Sequence, residues 1–148
     1  MVKIYLSHQN SPVAAALNFI VCTENGEQTA FAAPEITNIL FKNCIIHGSR
    51  EEEWVFNDQD VSQGAEINFE MSNCILRTKH NTDTLGYTNC IINPLAKDTM
   101  FVKRSEFDFH LHPQSPAIDK GNWNNPLTDD LDGSPRSNIP DIGCYEYQ

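Results

Sequence analysis

The residues best suited to chemistry lie in a long polar segment, residues 49–66. This segment holds five carboxylates within ten residues and one of the two tryptophans of the chain: Glu51, Glu52, Glu53, Trp54, Asp58 and Asp60. The face of a tryptophan stacks well on a sugar ring, and binding residues concentrate on the long loops of a regular scaffold. We therefore expect a ligand-binding site built on Trp54 and this acidic loop, with Trp123 as the second aromatic candidate. The alternative is a solvated acidic loop in which Trp54 and Phe56 fold back on the core.

A second group of candidate side chains lies in residues 107–112, where apolar and polar residues alternate. The alternation predicts a strand whose two phenylalanines and leucine face inward. Asp108, His110 and His112 then share the opposite face. Carboxylate and imidazole groups bind transition metals, but an exposed polar strand face explains these three residues without an ion.

A third group, Asp130 and Asp132, precedes Gly133. The pattern predicts a tight turn whose carboxylates accept hydrogen bonds from backbone amides. Calcium binding by Asp130 and Asp132 is the alternative, although an EF-hand loop is excluded because Thr128 occupies its first position and Ile139 its twelfth. We therefore predict no cofactor, with calcium as the alternative.

A short phrase, Asn-Cys-Ile followed by Ile or Leu, recurs three times after a strand-like lead-in. The copies are residues 43–46, 73–76 and 89–92, and a fainter copy ends at Cys22. A repeat with variable spacing predicts a structural unit, here called a rung, separated by loops of different length. Asparagine tolerates the left-handed conformation, so each rung is expected to be two short strands joined by a bend at Asn43, Asn73 or Asn89. Stacked rungs about 4.8 Å apart would bring these asparagines into a ladder of amide hydrogen bonds.

The five cysteines leave at least one thiol unpaired. Cys22, Cys44, Cys74 and Cys90 occupy matching positions in apolar β contexts, and we interpret them as small buried hydrophobic residues stacked between rungs. Disulfides between rungs and a metal–thiolate site are the alternatives. The absence of a Cys-x-x-Cys pair weakens the zinc alternative.

Composition excludes several classes of function. A length of 148 residues fits one domain, and the net charge of −10 with scattered Lys and Arg argues against nucleic-acid binding. The chain has no run of about eighteen apolar residues, so we expect no membrane span. Its first residues, Met-Val-Lys-Ile-Tyr-Leu, are strand-like and do not form a signal-peptide pattern.

The tail carries three motifs in a fixed order. They are Ser-Pro-Ala-Ile-Asp-Lys-Gly at 115–121, Asp-Leu-Asp-Gly-Ser-Pro-Arg at 130–136 and Asp-Ile-Gly-Cys-Tyr-Glu at 141–146. This pattern resembles the C-terminal end of secreted bacterial right-handed parallel β-helix proteins, the pectin-lyase-like group, where it is often called the choice-of-anchor domain. The family more often has alanine where this chain has Cys144. The resemblance implies an extracellular or bacterial cell-surface location, and a longer parent chain of which this sequence is the C-terminal part.

Many pectin-lyase-like folds carry polysaccharide lyases or glycosidases, so the motifs of polygalacturonase-type hydrolases deserve comparison. Fragments of those motifs occur at His47-Gly48, at 81–83 and at Asp129-Asp130, but their order differs from that of the family. We interpret them as coincidences. Arg136 is expected to pair with a carboxylate of the tail, with Asp119, Asp132 and Asp141 as the candidates.

The sequence thus predicts an all-β fold, a short right-handed parallel β-helix with rungs in residues 1–106 and a tail in residues 107–148 that caps its open end. The expected function is that of a non-catalytic extracellular module, structural or polysaccharide-binding. The alternative is a polysaccharide lyase or glycoside hydrolase whose groove uses the Glu51–Asp60 loop. Protein–protein contact through an exposed rung is a further possibility.

Overall fold

The computed structural model describes residues 14–17, 19–24, 27–32, 36–57, 67–79, 82, 86–95, 99–124 and 127–148. This part of the chain consists of β-strands, turns and one 3₁₀ helix at Arg104–Glu106. The strands are β1 (Ala14–Leu17), β2 (Phe19–Glu24), β3 (Glu27–Ala32), β4 (Ile36–Lys42), β5 (Ile45–Ile46), β6 (Trp54–Asn57), β7 (Ile67–Ser72), β8 (Ile75–Leu76), β9 (Tyr87–Thr88), β10 (Ile91–Ile92), β11 (Phe101–Lys103) and β12 (Asp108–Leu111). The predicted all-β class is confirmed.

The three copies of the repeated phrase stack in register. Their lead-in strands form a parallel sheet in the order β4-β7-β9, and the strands after the asparagine form a second parallel sheet in the order β5-β8-β10. Ile75 stands between Ile45 and Ile91, and the Ile75 and Ile91 amides donate to the carbonyls of Cys44 and Cys74 at 2.8 Å. The variable spacing of the phrase therefore lies in the connections and not in the rungs.

The bends between the two sheets are made by asparagine in the left-handed conformation. Asn43, Asn73 and Asn89 have φ angles of 52°, 51° and 53°. An L-residue with a Cβ pays a steric cost in this region, which asparagine bears better than most. The predicted bends are confirmed, and Asn93, with φ 51°, adds a further one after β10 that the repeated phrase does not include.

Alternate residues of the second sheet face two different hydrophobic clusters, because successive side chains of a strand point to opposite faces. Ile46 and Leu76 point into the inner cluster, which also contains the buried Trp54, Met71 and Cys74. Their neighbours Ile45, Ile75 and Ile91 point away from it into the outer cluster. The Ile-Ile and Ile-Leu pairs of the phrase thus bury both faces of the sheet.

The tail packs on the outer face of the second sheet. Met100, Leu111, Ala117 and Ile142 are buried there against the outward isoleucines of all three rungs. The Gly143 amide donates to the Asn43 carbonyl at 3.0 Å, and a Cβ on Gly143 would lie 3.0 Å from a methyl group of the Ile45 side chain. The sequence predicted a tail over the open end of the stack. In the structure these tail residues pack along the side of the stack, where they cover the outward isoleucine face.

The N-terminal strands depart from the expected repeat. β2 and β3 form an antiparallel pair in which Glu24 stands opposite Glu27, so the fainter copy ending at Cys22 is part of a hairpin and not a stacked rung. The Asn25-Gly26 sequence favours this hairpin. β1 pairs in parallel with β6, in the register Ala14 to Trp54. In the described part of the chain, no helix has the length and apolar character needed to cross a bilayer.

Candidate functional site

The described part of the acidic loop is tied to the second rung. Glu51 forms an exposed ion pair with Lys79 at 2.7 Å. The hydrogen bond from Lys79 lowers the pKa of Glu51, and the same bond raises the pKa of Lys79, so both groups are held in their charged forms. Glu52 is half-buried, and Asp58 and Asp60 lie outside the described residues.

Glu53 is buried and hydrogen-bonded to the backbone of its own loop. Its side chain is buried, and Oε1 accepts a hydrogen bond from the Arg50 amide at 3.0 Å. The Glu53 amide donates to the Arg77 carbonyl at 2.7 Å, and the carboxylate fills the space where a Cβ on Gly48 would lie. Glu53 therefore fixes the start of the loop against its neighbours.

A groove of about 330 Å³ runs beside this loop, lined by Glu51, Arg77, Asn93, Pro94 and Leu95. It brings one carboxylate and one guanidinium from neighbouring rungs to a shared surface. The lowered pKa of Glu51 suits a fixed negative charge and not a proton donor near neutral pH.

Trp54 lies in the inner core. Its side chain is 1% exposed. Its ring packs edge-on against Phe41 with 5.5 Å between the ring centroids, and its centroid lies 6.2 Å from that of the Phe69 ring. Its Nε1–H donates to the Tyr87 hydroxyl at 2.9 Å. The faces of this indole are therefore covered by protein, as the alternative interpretation of the loop expected.

Trp123 lies at the surface, 57% exposed, on a turn of the tail. The residue before it is fixed by the first rung: the Asn122 amide donates to Oδ1 of Asn43 at 2.7 Å, and Nδ2 of Asn43 donates to the Asn122 carbonyl at 3.1 Å. The Asn124 amide then donates to Oδ1 of Asn122 at 2.8 Å. Trp123 is thus an exposed aromatic side chain on a hydrogen-bonded support.

The side chains of Asn43 and Asn73 form hydrogen bonds with the tail and not with each other. Nδ2 of Asn73 donates to the Lys120 carbonyl at 2.9 Å, as Nδ2 of Asn43 does to Asn122. The predicted amide ladder is wrong for these two residues, because the tail runs close to the bends and offers carbonyl acceptors to both side chains.

The side chains of Asp108, His110 and His112 do not form the single group that the strand pattern predicted. His110 contacts Oδ1 of Asp108 through Nδ1 at 2.6 Å and Oδ2 of Asp132 through Nε2 at 2.8 Å. Its ring stacks on Tyr145 at 4.1 Å. Hydrogen bonds with Asp132 and then Asp108 raise the pKa of His110.

His112 does not join this cluster, because its Nδ1 accepts a hydrogen bond from the Gln114 amide at 3.1 Å.

The apolar side chains of this strand are more exposed than the sequence predicted. Leu111 is buried, but Phe109 is partly exposed and Phe107 is exposed in a left-handed conformation before the strand begins. The described residues contain no group of three His, Cys, Asp or Glu side chains arranged to hold a metal ion.

Asp130 forms the turn predicted from the sequence. Its Oδ1 accepts hydrogen bonds from the amides of Asp132 at 2.9 Å and Ser134 at 2.8 Å, and Oδ2 accepts from the Glu146 amide at 3.0 Å. Desolvation opposes ionisation of this carboxyl, but the three amides outweigh it and lower its pKa. With Asp130 bonded to amides and Asp132 bonded to His110, these two carboxylates are engaged inside the tail.

The partner of Arg136 is Glu146. Nη1 of Arg136 lies 2.8 Å from Oε1 of Glu146, with side-chain exposures of 4% and 8%, and Nη2 donates to the Gly143 carbonyl at 2.9 Å. The same carboxylate accepts hydrogen bonds from the Asp141 and Ser137 amides at 2.9 and 3.1 Å. A buried ion pair with further hydrogen bonds to backbone groups thus lies within the tail.

The three partners proposed for Arg136 from the sequence, Asp119, Asp132 and Asp141, are wrong. Asp141 is buried, and its two oxygens accept hydrogen bonds from the Asp119 and Tyr147 amides at 2.7 and 2.6 Å. Burial raises the pKa of Asp141. The sequence does not distinguish these carboxylates from one another as partners of Arg136. The pairing depends on how the tail folds.

The rung cysteines form a column of free thiols. Cys74 is buried between the half-buried Cys44 and Cys90, and the Cys74 and Cys90 thiols reach the Phe41 and Met71 carbonyls of the preceding rung at 3.6 and 3.3 Å. The thiol of Cys74 lowers the pKa of Cys44 to about 7 and that of Cys90 to about 6, whereas contact with both neighbours raises the pKa of Cys74. The fourth described cysteine, Cys144, is free and exposed.

Sequence reasoning did not find a cleft of about 700 Å³ that lies between β5 and the tail. Its lining comes from residues 42–47, 101–111 and 127–144. Residues so far apart in the chain give no local pattern.

The sequence showed the Asp-x-His spacing of Asp108 and His110. It gave no sign that Asp132 is the second hydrogen-bond partner of His110.

Comparison of the chain with protein-family models, with curated protein sequences and with solved structures found no match.

Proposed function

We propose that this chain is a non-catalytic extracellular module with a short right-handed parallel β-helix fold, a structural and polysaccharide-binding segment of a larger secreted or surface protein. The observation that carries the proposal is the in-register parallel stacking of three rungs around asparagine bends. Parallel strands repeated in register are the building principle of solenoids, which present extended binding surfaces. The proposed extracellular location is supported by the resemblance of the sequence motifs in residues 107–148 to those of secreted β-helix proteins.

The proposed polysaccharide contact is Trp123. A sugar ring needs an accessible aromatic face, and Trp123 offers one where Trp54 does not. The two hydrogen bonds between Asn43 and Asn122 hold the backbone beside Trp123, which reduces the entropy lost when a ligand orders its site. Lys120 and Asn124, which are exposed and lie three and one positions from Trp123 in the chain, are the candidates for polar contacts with sugar hydroxyls.

The acidic loop has a secondary part in this proposal. Its described residues Glu51, Glu52 and Glu53 include an ion pair with the next rung and a buried carboxylate, both of which favour a structural role. The lyase or hydrolase alternative would use the groove that Glu51 and Arg77 share. No described carboxyl in that groove has the raised pKa that a general acid requires, and the non-catalytic proposal is therefore preferred.

The test is a glycan-array screen of the full chain with the variants Trp123→Ala and Tyr147→Ala. Tyr147 is a suitable control because its side chain is also exposed, while its amide keeps the hydrogen bond to Asp141. Circular dichroism of each protein establishes that the variants are folded. We expect glycan binding by the parent and by Tyr147→Ala, with a loss of about tenfold or more in Trp123→Ala.

Each outcome decides a part of the proposal. Equal binding by parent and Trp123→Ala would move the sugar site away from Trp123. If a folded parent binds no glycan on the array, the polysaccharide part fails and the structural part stands. Cleavage of an arrayed glycan would instead establish the enzyme alternative.

A further inference from the structure

Cys44, Cys74 and Cys90 occupy the same register position in three neighbouring rungs. The strand residues two positions before each cysteine pair with one another, and so do the residues one position after each cysteine. Neighbouring strands of a sheet lie about 4.8 Å apart. The Cα atoms of a disulfide usually lie about 4.4–6.8 Å apart, so cysteines of neighbouring rungs are within reach of a disulfide.

The three thiols also have the same orientation. Each Sγ lies close to the carbonyl oxygen two positions earlier in its own rung, at 3.2 Å for Cys44, 3.4 Å for Cys74 and 3.6 Å for Cys90. The side chains therefore project to the same side of the stack, and the Cys74 thiol contacts those of both neighbours. Cysteines whose Cβ atoms point apart cannot be bridged without backbone movement, and this arrangement avoids that obstacle.

The position of Cys74 makes the two possible disulfides mutually exclusive. Cys74 lies between Cys44 and Cys90, and a sulfur atom takes part in one disulfide at a time. The column can therefore hold a disulfide from Cys74 to one neighbour, together with one remaining thiol. Cys44 and Cys90 are two strand spacings apart, about 9.6 Å, which exceeds the limit of about 7 Å for a disulfide between them.

The outer two cysteines are the reactive ones. Cys44 and Cys90 are half-buried, whereas Cys74 is buried. The Cys74 thiol lowers the pKa of Cys44 to about 7 and that of Cys90 to about 6, so both form the nucleophilic thiolate near neutral pH. Contact with Cys44 and with Cys90 raises the pKa of Cys74. A neighbour that has formed a mixed disulfide carries no negative charge, so one cause of this raised pKa is then removed.

We infer that the column is a thiol–disulfide site, in which Cys74 forms a disulfide with either Cys44 or Cys90 when the chain meets a small disulfide such as glutathione disulfide. An outer thiolate attacks one sulfur of glutathione disulfide, whose S–S bond breaks, and one glutathione thiolate leaves. Cys74 then loses its proton and attacks the protein sulfur of this mixed disulfide, and the second glutathione thiolate leaves. Two protein thiols are thus oxidised by two electrons in total, and one glutathione disulfide is reduced to two glutathione thiols, which carry the two protons.

The test equilibrates the full chain, at low concentration, with mixtures of reduced and oxidised glutathione. Remaining thiols are blocked with N-ethylmaleimide, and disulfides are mapped in tryptic peptides by mass spectrometry. Lys and Arg residues separate the five cysteines, so each cysteine falls on a different tryptic peptide. Cys74→Ala is the test variant, and Cys144→Ala is the matched control outside the column. Urea titrations compare the reduced and oxidised forms of each protein.

We expect the Cys74 peptide of the parent to be joined to the Cys44 peptide or to the Cys90 peptide. The oxidised parent should have a higher urea midpoint than the reduced parent, because a disulfide restricts the unfolded chain. Cys144→Ala should behave as the parent does. Cys74→Ala should carry mixed glutathione disulfides at Cys44 and Cys90 without an internal disulfide or a rise in midpoint.

Two results from the folded parent would overturn the inference. The first is an oxidised chain in which Cys74 stays free, whether or not its neighbours carry glutathione. The second is a disulfide between Cys44 and Cys90, which the stacked rungs exclude. The peptide map of the parent decides the outcome even if Cys74→Ala does not fold. Glycan binding by Trp123 is measured separately and is not affected by any of these results.

Discussion

Asn43 and Asn122 are joined by a pair of hydrogen bonds, in which the Asn43 amide group donates to the Asn122 carbonyl at 3.1 Å and accepts from its amide at 2.7 Å. The two residues are 79 positions apart in sequence. Asn43 thus does two things at once, since its backbone turns the first rung and its side chain holds the tail. The next residue after Asn122 is Trp123, so the bend of the first rung also supports the proposed sugar contact.

Replacing Asn43 separates these two roles. Asn43→Gly keeps the positive φ and removes both side-chain hydrogen bonds, which should lower the free energy of unfolding by about 1–3 kcal/mol. Asn43→Ala adds the strain of the left-handed conformation, about 1–2 kcal/mol more. Asn89→Gly is the control, because Asn89 has the same backbone angle but an exposed side chain. Urea titrations measure all three, and equal losses for Asn43→Gly and Asn89→Gly would show that the pair contributes nothing.

The buried indole gives a second prediction. Tyr87→Phe leaves Nε1–H of Trp54 without the hydroxyl it now meets, and should cost about 1–3 kcal/mol of unfolding free energy. Trp54→Ala should cost about 3–5 kcal/mol, because it empties a large site in the core. Trp123→Ala should stay within about 0.5 kcal/mol, since this ring is exposed. A stable, fully folded Trp54→Ala protein would contradict the packing described here.

The buried Arg136–Glu146 pair and the exposed Lys79–Glu51 pair should respond differently to mutation. Glu146→Ala leaves Arg136 charged and buried, so we expect a loss of about 3–5 kcal/mol in chemical denaturation. Glu51→Ala breaks the exposed pair with Lys79 and should change stability very little, with any small effect disappearing at high salt. A larger loss in Glu51→Ala than in Glu146→Ala would reverse this ranking.

The cysteine column predicts an ordered pattern of thiol reactivity. Cys144 should alkylate first and Cys74 last, while Cys90 and Cys44 react with pH midpoints of about 6 and about 7. Cys74→Ala removes the thiol that stabilises both thiolates, so these midpoints should rise toward the ordinary value of 9.0. Residue-resolved mass spectrometry of iodoacetamide products measures them, with Cys144→Ala as a control outside the column. Midpoints that do not move in Cys74→Ala would refute the coupling.

The His110 cluster makes stability depend on pH. The pKa of His110 is raised in the folded chain above its ordinary value of 6.5, so its contribution is fully present below that value and is lost as the pH rises through the folded pKa. The lowered pKa of Asp108 keeps that partner ionised over the same range. The stability difference between the parent and His110→Gln should therefore shrink as the pH rises above 6.5. His112→Gln is the control, and the same pH trend in both variants would exclude the cluster as its source.

The parts of the fold that were predictable from the sequence depend on local chemistry. Asparagine in the left-handed region is a property of one residue, and Asn43, Asn73 and Asn89 all adopt it. The turn at Asp130 is local in the same sense, since two of its three amide donors lie within four residues. The recurrence of the phrase was enough to place three rungs in register.

The parts that were not predictable depend on which distant surfaces meet. Whether Trp54 of a polar segment points outward or inward is decided by Phe41 and Phe69, on other strands. Arg136 pairs with Glu146 and not with carboxylates nearer in sequence, because the folded tail brings Glu146 to the guanidinium at a place where the Ser137 and Asp141 amides also donate to its carboxylate. Sequence proximity is a poor guide to pairing in a tail without regular strands.

Because the tail covers the side of the stack, the outward isoleucines of the rungs stay uncovered during synthesis until the tail has been made. Ile142, which covers the outer face, follows Ile91 of the third rung by 51 positions. At about 5–20 residues per second, a ribosome needs about 3–10 s to make that stretch. During this interval the three rungs are able to pair, but their second isoleucine face remains in water. The nascent chain is therefore most exposed to aggregation after its sheets have formed and before its last forty residues arrive to cover them.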